Sequence, residues 1–161
     1  MSIDPAASEH DLTVHLLDHN YPVERETMAD VSALLAQVAS AHGARHPELR
    51  DLESVWAELC RCLGRHLRDE RPMLAPHVEP VARHAPPSAA ASGVISSQHA
   101  EILALVRRVR ELTGGYTTPV DGCEAYRSLF VSLEEFEEDL REHVELADNV
   151  LGRECGSGTS R

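Results

Sequence analysis

Residues 124–151 read EAYRSLFVSLEEFEEDLREHVELADNVL, with one stripe at spacings of three and four: Tyr126, Leu129, Leu133, Phe136, Leu140, His143, Ala147 and Val150. That is the period of an amphipathic α-helix, and the run is too long for a strand. The acidic stretch LEEFEEDLRE keeps its apolar residues on the stripe, so its charges form a solvated face. One stripe position holds a histidine, His143, where a leucine fits the pattern. Asp121-x-x-Glu124 just upstream reads as a capping box that opens the helix.

Three more helical segments lie upstream. One runs from about Asp11 to His42, with Leu17, Tyr21, Met28, Val31, Leu35 and Val38 in line. Ser8-x-x-Asp11 resembles its capping box, Gly43 stops it, and Pro22 is predicted to kink it or split off its first turns. The next runs from about Pro47 to Arg71, with the stripe Leu52, Val55, Leu59, Cys62, His66 and Glu70. Residues 72–93, PMLAPHVEPVARHAPPSAAASG, are rich in proline and small residues and read as a long surface connection, so the linker is placed at 72–95. A further helix covers about Ser96 to Thr113, with His99, Ile102, Val106 and Val109 in line and Gly114-Gly115 at its end. No window alternates apolar and polar residues as a strand does. The expected fold is an all-α, up-down-up-down four-helix bundle over residues 11–152, with two short hairpin connections. Residues 1–10 and 153–161 are expected to be disordered.

A chain of 161 residues suits one domain with a real core. Its net charge of −12 argues against nucleic acid and anionic membrane surfaces as partners. No apolar run reaches membrane-spanning length, and MSIDPAASEHDL lacks the basic and apolar regions of a secretory signal. Cys60, Cys62, Cys123 and Cys155 have neither zinc-finger nor redox-pair spacing, which points to free thiols in a reducing cytoplasm. Ten histidines beside two phenylalanines and one tryptophan direct attention to imidazole ligands.

Three stripes carry a histidine in place of an aliphatic residue: His66, His99 and His143. Glu70 follows His66 by one turn on the same face. A carboxylate on a core stripe is costly unless paired or metal-bound. The linker joins the end of the His66 helix to the start of the His99 helix, so both lie at one end of the bundle. At ~1.5 Å per residue, His99 and His143 differ in level by fewer than two turns. Tyr21 on the first helix lies level with His66. Four helices therefore bring Tyr21, His66 with Glu70, His99 and His143 to one layer, a donor set that suits iron, manganese or zinc. His15 and His19 lie off the stripe, and His42 lies ~30 Å from Tyr21 along the axis.

The stretch HAEILALVRRVRELTGGYTTPVDGCEAYRSLFVSLEEFEEDLREHVELADNVL is similar to the second hairpin of the di-iron iron–sulfur-cluster repair proteins, within the haemerythrin-like HHE cation-binding group. LTVHLLDHNY, VASAHGARHPEL and RHLRDERPML resemble the first hairpin more loosely. The resemblance covers about residues 10 to 152. It implies a non-haem iron centre of one or two ions. The family's first-helix histidine falls on Tyr21, its His-x-x-x-Glu pair on His66 and Glu70, its third-helix histidine on His99 after Gln98, and its last His-x-x-x-Glu pair on His143 and Ala147. One histidine has thus become tyrosine and one carboxylate alanine. Tyrosine can give a phenolate to ferric iron, and Asp148 is a candidate substitute for the missing glutamate if the helix bulges there. The small N-terminal domain with a cysteine pair that longer members carry is absent from this sequence.

Two functions compete at this point. The first is a non-haem iron protein handling O2, peroxide or nitric oxide, or aiding iron–sulfur cluster repair under stress, with an iron–sulfur protein as a possible partner. The second is a degenerate bundle, holding one metal or none, that acts as a protein-interaction module. No nucleophile with a partnered base is visible in the sequence, which places any chemistry at the metal.

Overall fold

The computed structural model describes residues 3, 4, 6–78 and 88–156. The expected disorder at residues 1, 2, 5 and 157–161, and the middle of the linker at 79–87, lie outside them. Ser8 starts the first rod: its hydroxyl oxygen accepts the Asp11 N–H at 3.1 Å and opens α1 at Glu9–His15. Helical structure thus already includes Glu9 and His10. The chain passes through a π-helical turn, Leu16–Asn20, into α2 at Tyr21–His42.

This wide turn is the form the expected disturbance at Pro22 takes, and the rod is not split. Pro22 has no N–H to donate, and the Tyr21 N–H reaches back five residues to the Leu16 carbonyl. The extra residue moves the buried stripe from Leu12 and Leu16 before the turn to Tyr21, Glu24 and Val31 after it. Leu16 is buried and Leu17 only partly so, which corrects the expected stripe by one position.

The second helix, α3, runs from Glu48 to Leu74 and so continues past Arg71 through Pro72. Leu74 is fully buried and Met73 nearly so, and that burial offsets the hydrogen bond lost at the proline. A 3-10 turn, Ala75–His77, follows. The third, α4, spans Ala89–Leu112. It starts earlier than the expected Ser96 because Ser88 caps it by accepting the Ala91 N–H, and the alanines that follow are strong helix formers. The last, α5, spans Glu124–Gly156, four residues beyond the expected boundary at 152. Asp121 is not its cap. The Cys123 carbonyl accepts the first bond, from the Arg127 N–H, while the Asp121 side chain is held by Arg45 and His46.

Among the described residues there is no strand, and no helix is long and apolar enough to cross a membrane. Cross-links fix the antiparallel order. The start of the first rod meets the end of α3 (Tyr21 to Glu70), and its end meets the start of α5 (His42 to Cys123). Cys62 and His66 of α3 meet Glu101 and Gln98 of α4, and His99 of α4 meets Asp148 of α5. The bundle is therefore up-down-up-down.

The middle layers are apolar. Phe136 packs edge-on against Trp56 with ring centroids 5.1 Å apart, and Trp56 donates through Nε1 to Ser32 Oγ at 2.9 Å. Phe136→Ala is expected to destabilise the chain by about 3–5 kcal/mol. A thermal melt by circular dichroism should then fall by about 10 °C. A midpoint unchanged within ~2 °C would mean that this layer can collapse into the space.

Candidate metal centre

His66, Glu70, His99 and His143 come together at the end of the bundle where Tyr21 begins α2. One donor atom from each lies within 4.8 Å of all the others, and all four residues are buried. Ring centroids are 4.7 Å apart for His66 and His99, 5.4 Å for His66 and His143, and 6.2 Å for His99 and His143. The Glu70 carboxylate sits among the rings. Its Oε2 lies 3.0 Å from His143 Nε2, and its Oε1 lies 3.3 Å from His99 Nε2 and 3.4 Å from His66 Nε2.

The inward direction of the three Nε2 atoms is fixed by what holds the other side of each ring. Glu24 Oε1 is 2.7 Å from His143 Nδ1. Asp148 Oδ1 is 3.0 Å from His99 Nδ1. Gln98 Oε1 is 3.1 Å from His66 Nδ1, and the Gln98 amide donates from Nε2 to Asp69 Oδ2 at 2.8 Å, so its oxygen is the atom turned to the histidine. With a metal in place, each outer acceptor would keep a proton on Nδ1 and leave an Nε2 lone pair for the centre. Three neutral imidazoles and one carboxylate, desolvated and supported in this way, fit a borderline transition-metal ion such as iron or zinc.

Tyr21 and Asp148 complete the account of the expected residues. The Tyr21 hydroxyl donates to Glu70 Oε2 at 2.6 Å, and its ring stacks on His143 at 5.6 Å with an interplanar angle of 3°. Asp148 stands behind His99, on the nitrogen facing away from the cluster, with an exposed side chain. Ala147 lies fully buried one turn after His143.

Glu24 was not singled out from the sequence. It is fully buried, and its second oxygen, Oε2, has no hydrogen-bond partner among the described residues. A signal was there: the stripe from Tyr21 to Met28 skips a rung, and Glu24 fills it. His15 and His19 are half-buried, with rings 4.8 Å apart.

The charges follow from this geometry. Burial alone pulls the His143 imidazole down, but the Glu24 and Glu70 carboxylates outweigh it and push it up to about 10. Burial raises the Glu70 carboxyl, yet the His143 charge and the hydrogen bonds from His143, His66 and His99 hold it well below the usual carboxylate range. Burial, then the Glu70 charge and hydrogen bond, push the Tyr21 phenol upward. The metal-free centre is thus an imidazolium between two carboxylates, already arranged around a positive charge. Tyr21 also lines an open pocket of about 320 Å³ together with Leu17, Pro22, Arg25 and Arg71.

Residues 9–155 match the family model described as Hemerythrin HHE cation binding domain. A probable iron-sulfur cluster repair protein of Haemophilus influenzae is 27% identical over 150 residues, 91% of this chain and 65% of that protein. The iron-sulfur cluster repair protein DnrN of Neisseria gonorrhoeae is 27% identical over 85% of each chain. ScdA of Staphylococcus haemolyticus, another iron-sulfur cluster repair protein, is 28% identical over 79% of this chain and 58% of its own length. The chain therefore spans less than two thirds of the length of the first and third of these relatives.

Proposed function

The chain belongs to the Hemerythrin HHE cation binding domain family, and from that premise we propose that it is a non-haem iron protein acting in iron–sulfur cluster repair, with His66, Glu70, His99 and His143 as ligands. The observation that carries this reading is the convergence of three Nε2 atoms and one carboxylate in a buried layer, each histidine backed by its own acceptor. Iron bound there would supply redox chemistry and an open coordination position for a small molecule such as O2, peroxide or nitric oxide.

The protein's own residues do the rest. Glu24, Gln98 and Asp148 hold protons on the outer imidazole nitrogens and keep the rings from turning. In this reading Asp148 orients His99 and does not replace the missing glutamate. Tyr21 holds a proton against Glu70 and closes the solvent side of the layer, so a small molecule entering past Arg25 and Arg71 meets it first. The cytoplasm as location and an iron–sulfur protein as partner belong to the same proposal. The interaction-module alternative draws on Tyr21 and Ala147 standing where the family has ligands.

Aerobically purified protein is expected to contain iron. If Tyr21 reaches the ferric ion as a phenolate, the sample shows a visible charge-transfer band that Tyr21→Phe abolishes. Metal analysis and an absorption spectrum of both proteins check this. Iron-free protein that also fails to take up ferrous iron would retire the proposal. A colourless iron-loaded sample would retire only the role of Tyr21.

A further inference from the structure

The end of the bundle opposite the metal centre is closed by a charged cluster around one histidine. His46 lies in the connection between α2 and α3, where its N–H donates to the His42 carbonyl and its carbonyl accepts the Leu49 N–H. Both of its ring nitrogens face carboxylates. Nδ1 is 3.0 Å from Glu48 Oε1, and Nε2 is 3.0 Å from Asp121 Oδ1, 75 positions along the chain. A carboxylate only accepts, so each nitrogen carries a proton and the ring is an imidazolium. The His46 side chain is only 15% exposed, and its ring stands edge-on to the buried Tyr126 with centroids 5.6 Å apart, which fixes its orientation. The bond to Asp121 ties down the connection between α4 and α5. Among the described residues, Asp121 is the one residue from 118 to 122 whose side chain bonds to another element.

We propose that His46 is a pH-operated clasp: doubly protonated, it bridges Glu48 and Asp121 and holds residues 118–122 to the bundle, and loss of one proton loosens that segment. The neutral ring has one N–H for two carboxylates, and a bond that it keeps is no longer strengthened by charge. The ionisation of both partners runs the same way. The hydrogen bonds to Asp121 and then to Glu48 outweigh burial and raise His46 above its ordinary range. The His46 hydrogen bond outweighs burial at Asp121 and, with the His46 and Arg45 charges, holds that carboxyl below its ordinary range. The raised histidine sets the upper limit: its contribution is fully present below the ordinary histidine range and is lost as pH rises through the raised value. The depressed aspartate sets the lower limit: its contribution is present above the ordinary carboxylate range and is lost as pH falls through the lowered value. The clasp is closed between the two.

The other charged and titratable groups at this end do not reverse the response. Arg45 Nη1 lies 3.1 Å from Asp121 Oδ2 and stays charged throughout, so it keeps part of the hold and the segment loosens without being released. The His42 ring is 6.3 Å from that of His46, but its nitrogens face Arg45 and the Cys123 sulfur. Glu124, at the start of α5, pairs with Arg127. Burial, with the Glu48 and Asp121 charges, pushes the Tyr126 phenol up to about 12, so it stays neutral while His46 titrates. The clasp does not depend on the metal reading, because it lies beyond His42, ~30 Å from Tyr21 along the first rod.

The test uses the full chain. The His46 ring protons, followed by NMR as pH is raised, should titrate with a midpoint above 6.5, the ordinary histidine value, and Asp121→Asn should move that midpoint down toward 6.5. Hydrogen–deuterium exchange of a peptide covering residues 118–122, corrected for the intrinsic acceleration by hydroxide, should show about a threefold loss of protection as pH rises through the midpoint. In His46→Gln the segment should be as weakly protected at low pH as the wild type is at high pH, with the step gone. Cys123→Ser, which removes the neighbouring thiol, should keep the step. The proposal is overturned by a wild-type midpoint at or below 6.5, or by protection that does not change through the midpoint. A step that survives in His46→Gln, or that vanishes in Cys123→Ser, overturns it as well. The first two outcomes are read on the wild type, so they decide it even if a variant fails to fold.

Discussion

Glu70→Gln is expected to reduce iron binding by at least about 100-fold, more than loss of a supporting residue, which typically costs 10–100-fold. Glu70 is the one carboxylate among the four clustered donors, and it touches all three imidazoles and the Tyr21 hydroxyl. Glutamine keeps the shape and one acceptor but removes the charge that a cation in this desolvated layer needs. Metal content after dialysis against ferrous iron reads the effect directly, and Glu24→Gln should show a smaller loss. Unchanged iron in Glu70→Gln would sink the ligand assignment.

The same substitution should change the pH behaviour of the metal-free chain. His143 is raised in the folded state, so its ionic contribution to stability is fully present below the ordinary histidine range. It is lost as pH rises toward about 10. Without Glu70, one of the two carboxylates that raise it is gone, and the loss should fall at lower pH. A metal ion competes with that proton, so iron affinity in the wild type should rise with pH through the same window.

Ala147→Glu is expected to act in opposite directions with and without metal. Ala147 is fully buried one turn after His143, at the position where the resemblance implies a carboxylate. In the metal-free chain a glutamate there is a desolvated charge near Glu70, in a layer packed for a methyl group. Each of these costs several kcal/mol or less on its own, and both act in the same direction. The thermal midpoint should therefore drop. Added ferrous iron should restore it, because a ligand that binds only the folded state at 100 times its Kd contributes about 2.7 kcal/mol. The iron-to-chain ratio should rise from about one in the wild type toward two. Metal analysis and melts with and without iron measure both effects. A wild type that already holds two irons would show that the centre is completed without this carboxylate.

Much of this protein was legible in its sequence because the relevant relations are local. The 3.6-residue period of the Phe136 helix, the His66-x-x-x-Glu70 pair on one face, and histidines at aliphatic stripe positions all follow from spacing within one helix. Tertiary structure decided what faces what across helices. Those neighbours depend on the rotation and axial shift of whole rods, which no spacing within a segment records. The π turn at Leu16–Asn20 shows the reason most plainly, since one extra residue there turns the downstream face. That turn sets Tyr21 on Glu70 and Glu24 behind His143. Only helix docking could place Asp148 behind His99, and only the meeting of the end of α2 with the start of α5 could set His42 against Cys123, residues 81 positions apart in the chain.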